Sequence, residues 1–298
     1  DCHYSSDRPL RLAGKAAPAN VIPSEGIRRR CESCHSLEGT HTWLPQPARH
    51  FNAVTCESCH VPRLEMGARQ AIDATVMQPD GSALVSYRGI DNTSLDDLTM
   101  AYISGYQPLL RVGKSALGRN QVLPYNLVST WYWADGDSHT PIDAAQLRAA
   151  WLAGDGYAAE VLETFDANVD GKLGRKELRL DNNIKLMLIK ERLRTAGVHN
   201  PVIRGEVRAY HIHHNIRHGD RVNRDCSACH PDAKAALPGF DLAPYVPGSV
   251  KPVLVTDTTE IVLDGSWETA ADGTLRFVPE RGVAESWQAL ENTIRSEP

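Results

Sequence analysis

The stretch Cys56-Glu57-Ser58-Cys59-His60 decides most of what this chain can be, and it occurs in two further versions. These read Cys31-Glu32-Ser33-Cys34-His35 and Cys226-Ser227-Ala228-Cys229-His230. Each is a Cys-x-x-Cys-His motif, the attachment signature of a covalent c-type haem. The two thiols bond to the haem vinyl groups, and the adjacent histidine reaches the iron as proximal ligand. The sequence therefore predicts three haem c groups.

A fourth haem is predicted at the start of the sequence. Cys2 and His3 match the end of a motif whose first cysteine would precede residue 1. The alternative is a stray cysteine near a terminus. Six of the seven cysteines fall in the complete motifs, and the seventh is directly followed by histidine. The haem thioethers therefore account for all the cysteines and leave no pair for a disulfide.

Zinc is the competing interpretation of the first two motifs. Cys31, Cys34, Cys56 and Cys59 form two Cys-x-x-Cys pairs separated by 21 residues, just outside the usual spacing of a zinc ribbon. A ribbon needs no histidine after each second cysteine, yet all three motifs have one. The third motif also lacks a partner pair, so haem is the favoured interpretation.

Composition narrows the class of protein. A length of 298 residues fits one large or two smaller domains. The formal net charge of −5 gives no reason to expect nucleic acid as a partner. No apolar run is long enough to cross a bilayer. Because haem is attached covalently outside the cytoplasm, we expect a periplasmic or extracellular protein.

The expected fold is mainly α with extensive loops, organised by the haems, with an EF-hand helix-loop-helix and a small β-rich segment at the C-terminus. Four regions are predicted. They are a haem-binding region at 1–140, an EF-hand-like helical region at 141–199, a His-rich segment with the third motif at 200–250, and a β-rich appendix without haem at 251–298.

Capping residues and apolar periodicity predict the individual elements. Helices are expected at 94–104, 140–151, 158–165, 185–195 and 284–294. Alternating or β-branched runs predict strands at 83–87, 253–255 and 260–263, and a turn into a strand over 271–277. The aromatic stretch 123–133 is expected to pack on the core or on a haem.

The segment 166–177 matches an EF-hand calcium loop. Oxygen-bearing side chains fall at loop positions 1, 3 and 5, glycine at 6 and glutamate at 12, and a backbone carbonyl serves at 7. The alternative is an ordinary turn between two helices. The predicted ligands are Asp166, Asn168, Asp170, Lys172 through its carbonyl, and Glu177.

Histidines outside the motifs are candidates for the second axial ligands of the irons. His41 and His50 lie between two attachment motifs, where a ligand to a neighbouring haem is easily supplied. On a helix, His211, His214 and His218 would share one face. The predicted distal ligands are His41, His50, His214 and His218, while His139 and His199 are expected to be bystanders. Scarce methionine favours bis-His ligation and hence low reduction potentials.

Together, the motifs and the excess of histidine resemble a multihaem c-type cytochrome. The stretches His41-Thr42-Trp43-Leu44-Pro45, Arg49-His50-Phe51 and 56–62 are similar to parts of bacterial multihaem cytochromes of the tetrathionate-reductase and hydroxylamine-oxidoreductase kind. That resemblance implies closely spaced haems and rapid electron hopping. It covers roughly a third of the chain, and the predicted EF-hand and C-terminal β-rich segment depart from a minimal cytochrome.

Three functions are compatible with these patterns. The leading expectation is electron transfer along a chain of bis-His haems, with other cytochromes or redox proteins as partners. The second is an oxidoreductase of small nitrogen or sulfur oxyanions, in which one haem keeps an open coordination position. The third is a calcium-ordered subunit of a larger respiratory complex or filament. No catalytic constellation is apparent in the sequence.

Overall fold

The structure, a computed structural model, describes residues 31–91, 102–232, 237–256 and 260–296. Seven α-helices lie in these ranges, together with 3-10 turns at Cys31–Ser33, Gly219–Arg221, Cys226–Ala228 and Pro247–Ser249. The helices are α1 (Leu37–Thr40), α2 (Pro47–Ala53), α3 (Cys56–His60), α4 (Ala144–Trp151), α5 (Ala159–Phe165), α6 (Asn183–Thr195) and α7 (Val283–Ser296).

Thirteen strands lie in the same ranges. They are β1 (Ala68–Ala74), β2 (Leu84–Arg88), β3 (Ile90–Asp91), β4 (Tyr102–Ile103), β5 (Leu109–Lys114), β6 (Asn120–Asp135), β7 (Leu152–Ala153), β8 (Gly156–Tyr157), β9 (Pro201–His211), β10 (Phe240–Ala243), β11 (Val253–Leu254), β12 (Gly265–Thr269) and β13 (Leu275–Pro279). Strand makes up 30% of the structure and helix 26%. The expectation of a mainly α fold is therefore wrong, and the architecture is mixed α/β.

A six-stranded sheet forms the centre of the molecule. Its strands follow the order β11-β9-β6-β1-β2, and β5 also pairs with β6. The long strand β6 runs antiparallel to β9, from Tyr125 opposite His211 to Asp135 opposite Pro201. β1 lies parallel to β6 on the other side. β9 ends at His211, and the chain beyond it lies beside the second motif, where Arg217 N donates to the carbonyl of His60 at 2.7 Å.

The main core lies around the buried aromatic residues of β6. Trp131 and Trp133 are each only 1% exposed. The carbonyl of Thr75 accepts the indole N–H of Trp133 and that of Trp151, both at 3.0 Å, so it joins β6 to α4. A Cβ atom on Gly205 would lie 2.7 Å from Trp131 Nε1, so β9 needs glycine where it passes over this ring.

The C-terminal region adds a second, three-stranded sheet, β10-β13-β12. β11 instead joins the central sheet, where it runs parallel to β9. Helix α7 packs near β5 and β6, and Ala284 at its start donates its N–H to the carbonyl of Cys229. The division of the chain into four regions stays a prediction.

Several predicted elements agree with the structure and several do not. The helices at 158–165, 185–195 and 284–294 and the strands at 83–87 and 271–277 are confirmed within one or two residues at most boundaries. Helix α4 begins after Asp143, whose side chain accepts from Gln146 N at 2.8 Å, and not at Thr140. Residues 260–263 form no strand, and 102–103 are a strand where the first predicted helix was to end. The start of that helix, at Ser94, lies outside the described residues.

Candidate haem-binding site

Each Cys-x-x-Cys-His motif folds as one short helical turn. The first and third begin as 3-10 turns, and the second is helix α3. The N–H of His35 donates to the carbonyl of Cys31 at 3.0 Å, and that of His230 donates to Cys226 at 2.8 Å. Two thiols and one imidazole thus lie within a single turn in every motif, which is the spacing that haem attachment needs.

The three motifs come together in space although the third is far away in sequence. The Cys31 thiol contacts the Cys56 thiol, and this hydrogen bond together with burial raises the pKa of Cys56. Burial raises the pKa of Cys59, and burial with the neighbouring Cys59 raises the pKa of Cys229 to about 11. Asn223 N donates to the carbonyl of Cys59 at 2.9 Å. Burial therefore favours the protonated form of these three half-buried thiols.

Two predicted distal histidines face the proximal histidines of two motifs. The ring centre of His41 lies 6.1 Å from that of His60, with an angle of 69° between the ring planes. The ring centre of His50 lies 6.3 Å from that of His230, with an angle of 72°. Helix α2 carries His50, whereas His41 directly follows α1. The sequence did not indicate which motif each histidine would face.

The distance between the paired rings fits one coordinated iron. A metal–imidazole bond of about 2.0 Å on each side, with roughly 1.1 Å from each nitrogen to its ring centre, separates two axial rings by about 6.2 Å. The observed separations of 6.1 and 6.3 Å match this value. The residues present therefore fit a bis-His haem at the second motif and another at the third.

Backbone carbonyls hold three of these four rings. The Nδ1–H of His60 donates to the Arg217 carbonyl at 2.7 Å, and that of His41 donates to Leu37 at 3.0 Å. The contact of His50 Nδ1 with the Gln46 carbonyl is longer, at 3.4 Å. Because a carbonyl only accepts, each of these contacts places the proton on Nδ1 and leaves Nε2 available to a metal.

The other predicted ligands are not arranged in this way. Within the ranges that the structure describes, no histidine ring lies opposite His35 as His41 lies opposite His60. His214 and His218 are exposed. Residues 212–218 form no helix, so the expected shared face does not exist. Cys2 and His3 lie outside the described residues, so the fourth haem stays a prediction.

The His-rich segment makes contacts that the sequence did not indicate. His211 Nε2 lies 3.0 Å from the hydroxyl of buried Tyr125, and the rings of His211 and His213 are 5.7 Å apart. His213 Nδ1 lies 3.4 Å from Glu57 Oε1, inside the second motif. Glu57 is buried, and no local sequence pattern predicts this. Its position between the two cysteines of the second motif is the only feature of the sequence that could have indicated a role.

No zinc ribbon forms. The part of the chain with described coordinates contains no group of three or more His, Cys, Asp or Glu side chains placed to hold a metal ion. Cys31 contacts Cys56, and Cys59 lies near Cys229. The four cysteines of the first two motifs therefore do not converge on one point, as tetrahedral zinc requires.

The predicted calcium loop closes on itself through hydrogen bonds. Asp166 accepts from Asp170 N at 3.2 Å and from Gly171 N at 2.7 Å, and Glu177 accepts from Ala167 N at 2.9 Å. Gly171 has a φ of 78°, which the sharp turn requires. Helix α5 leads into the loop, but residues 175–178 form a turn and the next helix, α6, begins only at Asn183, so no helix leaves the loop at Glu177 as in an EF-hand.

Comparison with known proteins adds little to this geometry. The sequence matches no protein-family model, and no curated protein is significantly similar to it. The structure is similar to an octahaem cytochrome c from Shewanella oneidensis with a TM-score of 0.37 and 14% identity. The match covers 68% of this chain and 48% of that one, about half of its length.

Proposed function

We propose that this chain is an electron-transfer protein that holds covalent c-type haems. The observation that carries the proposal is the pair of facing imidazoles, His41 with His60 and His50 with His230. Each pair joins a histidine of an attachment motif to one that has no motif of its own. In both pairs the two ring centres lie at a separation that suits a six-coordinate iron.

Cysteines and histidines would have different roles in holding each haem. The cysteine pairs at 56 and 59 and at 226 and 229 would form thioethers, while the facing histidines would supply both axial ligands. The haem supplies one-electron redox chemistry when bound. Two nitrogen ligands favour a low-spin iron with a low reduction potential. The thioether of Met66 instead contacts Asn215 Nδ2 at 3.3 Å, and Met77 is buried in the core.

Further haems are part of the same proposal. The first motif, Cys31 to His35, has the same turn as the other two and would hold a third haem. Cys2 and His3 would hold a fourth. His214 and His218 are proposed as ligands to these two haems, because both are exposed on an irregular segment beside the second motif.

Location and partners follow from the cofactor. Covalent haem is attached outside the cytoplasm, so we infer a periplasmic or extracellular protein whose partners are other cytochromes, redox proteins or a larger respiratory assembly. No helix in the described ranges is long and apolar enough to span a membrane. The formal charge of −5 supports neither nucleic acid nor an anionic surface as partner.

Mass and absorption spectra of the protein produced with a cytochrome c maturation system test the proposal. We expect an intact mass that exceeds that of the polypeptide by at least three haems, a Soret band, and low-spin ferric and ferrous spectra. A fourth haem in the mass would assign Cys2 and His3. A colourless protein with the mass of the bare chain would refute the proposal.

One observation favours a second candidate function. His35 is exposed, and no second imidazole faces it within the described residues. A haem there with an open position would suit an oxidoreductase of small nitrogen or sulfur oxyanions. A high-spin ferric component that binds nitrite or cyanide would favour this function over a simple relay.

Calcium at the loop 166–177 stays a prediction. At a free calcium concentration about 100 times the dissociation constant, binding would raise the free energy of unfolding by about 2.7 kcal/mol. We therefore expect a higher melting temperature in calcium than in chelator, and loss of that difference in Glu177→Gln. Glu163→Gln, an exposed change on α5, is the matched control. Equal melting temperatures in calcium and in chelator would show that the loop is an ordinary turn.

A further inference from the structure

Two hydrogen bonds join His60 to the backbone of Arg217, although the two residues are 157 positions apart in the sequence. Arg217 N donates to the carbonyl of His60 at 2.7 Å, and the Nδ1–H of His60 donates to the carbonyl of Arg217, also at 2.7 Å. The second contact is the one that orients the proximal ring. The position of the Arg217 backbone therefore determines how strongly His60 donates this proton.

The backbone at Arg217 has no regular structure to hold it. Residues 212–218 lie between the end of β9 and a 3-10 turn and belong to no helix or strand. The side chain of Arg217 instead pairs with Glu65, with Nη2 2.5 Å from Oε2. The Arg217 side chain is 19% exposed, whereas that of Glu65 is 64% exposed. The Glu65–Arg217 ion pair thus links the irregular segment to the chain just beyond the second motif.

Hydrogen bonding at Nδ1 changes the properties of a metal-bound imidazole. Donation from Nδ1–H to a carbonyl makes the ring more basic, and a more basic ligand favours the oxidised metal. Second-shell hydrogen bonds are among the means by which a protein sets haem potential. A looser contact between His60 and Arg217 would make the ring less basic and raise the potential.

We propose that the Glu65–Arg217 ion pair is a positioning device that lowers the reduction potential of the haem at the second motif. It acts through the Arg217 carbonyl on His60, and neither side chain is a ligand. The inference rests on the proposed function, since it requires a haem on His60. It assigns Glu65 and Arg217 a role in setting the reduction potential of that haem.

The variants Glu65→Gln and Arg217→Gln separate positioning from the effect of charge alone. Removing a negative charge near a haem raises its potential, and removing a positive charge lowers it. Charge alone therefore predicts opposite shifts in the two variants. Loss of positioning predicts an upward shift in both, because either change releases the same carbonyl. Arg217→Lys, which keeps the charge, should stay closer to wild type than Arg217→Gln.

Redox titration of the holoprotein, followed by absorbance, measures the shift. The relevant haem is the one whose spectrum changes in His41→Ala. Glu191→Gln breaks an exposed ion pair with Arg194 (3.1 Å) on α6 and should leave every potential unchanged. As a second readout, the His60 Nδ1 proton of the reduced protein should exchange on the order of fivefold faster in both Gln variants, by NMR.

The outcomes separate the two claims. Upward shifts in both Gln variants with faster proton exchange support the positioning role. Opposite shifts, or unchanged potentials with unchanged exchange, overturn it and leave the electron-transfer proposal intact. A protein whose mass shows no haem at the second motif overturns both.

Discussion

Replacing His41 or His50 with alanine is expected to convert one haem from low-spin to high-spin in each variant. Each residue faces a motif histidine across 6.1 or 6.3 Å, so in the proposed haem sites its removal would open one axial position and leave the thioethers intact. The number of attached haems should not change. The double variant should show two high-spin haems, because the two ring pairs share no residue.

Quantitative electron paramagnetic resonance of the ferric protein measures this result. The matched control is His139→Ala. His139 is exposed on the loop after β6, where its Nδ1 contacts Arg204 at 2.8 Å. A low-spin count that stays constant in both single variants would mean that other groups ligate the irons, and the facing rings would then have no role in ligation.

Replacing both Cys56 and Cys59 with serine is expected to remove one covalent haem and to destabilise residues 31–65. The helices in this region have no more than seven residues each, and among its apolar side chains only Val61 and Leu64 are buried. Helices this short are not stable alone in water. A haem held by α3 would therefore supply much of the apolar contact that this region lacks.

Intact mass and limited proteolysis report the two effects separately. The mass should fall by one haem, and cleavage within 31–65 should become faster while the central sheet stays resistant. The corresponding double variant of Cys226 and Cys229 should also lose one haem, but with cleavage near the third motif. An unchanged mass would show that the second motif carries no covalent haem.

Local signals in the sequence predict helices α4 to α7 but none of the short helices α1 to α3. The run at 185–195 has apolar residues at helical spacing, and Gly197 follows it with a φ of 91°, as expected where a helix ends. The sequence predicts that the stretch 123–133 packs on the core or on a haem, but not that it forms a strand. Nearly all of β6 is buried, so it lacks the alternation that identifies a half-exposed strand.

The sequence of β9 has the alternating pattern of a strand, but the histidines that follow it suggested a helix. Its residues alternate between buried and exposed positions, with Ile203, Gly205, Val207 and Ala209 facing inward. The density of histidine after residue 210 suggested a helix with a ligand face, but the antiparallel pairing with β6 extends to His211. Pairing between distant segments overrides the local preference of such a stretch.

At the candidate site, the sequence predicts which residues would attach haem, but it does not predict how the three motifs meet in space. The choice of His41 and His50 rested on their position between two motifs, and both lie opposite motif histidines. The contact of His60 with the Arg217 carbonyl depends on a fold that brings residues 157 apart together. No sequence pattern around His60 or around Arg217 predicts this contact.

The reciprocal contact between His60 and Arg217 also constrains the order in which the molecule is completed. A chain is synthesised from its N-terminus, so His60 is present long before residue 217. The contact that orients the His60 ring cannot form until the segment 212–218 has folded onto the second motif. The orientation of this ring is therefore a property of the completed fold, and the segment around the second motif cannot set it alone.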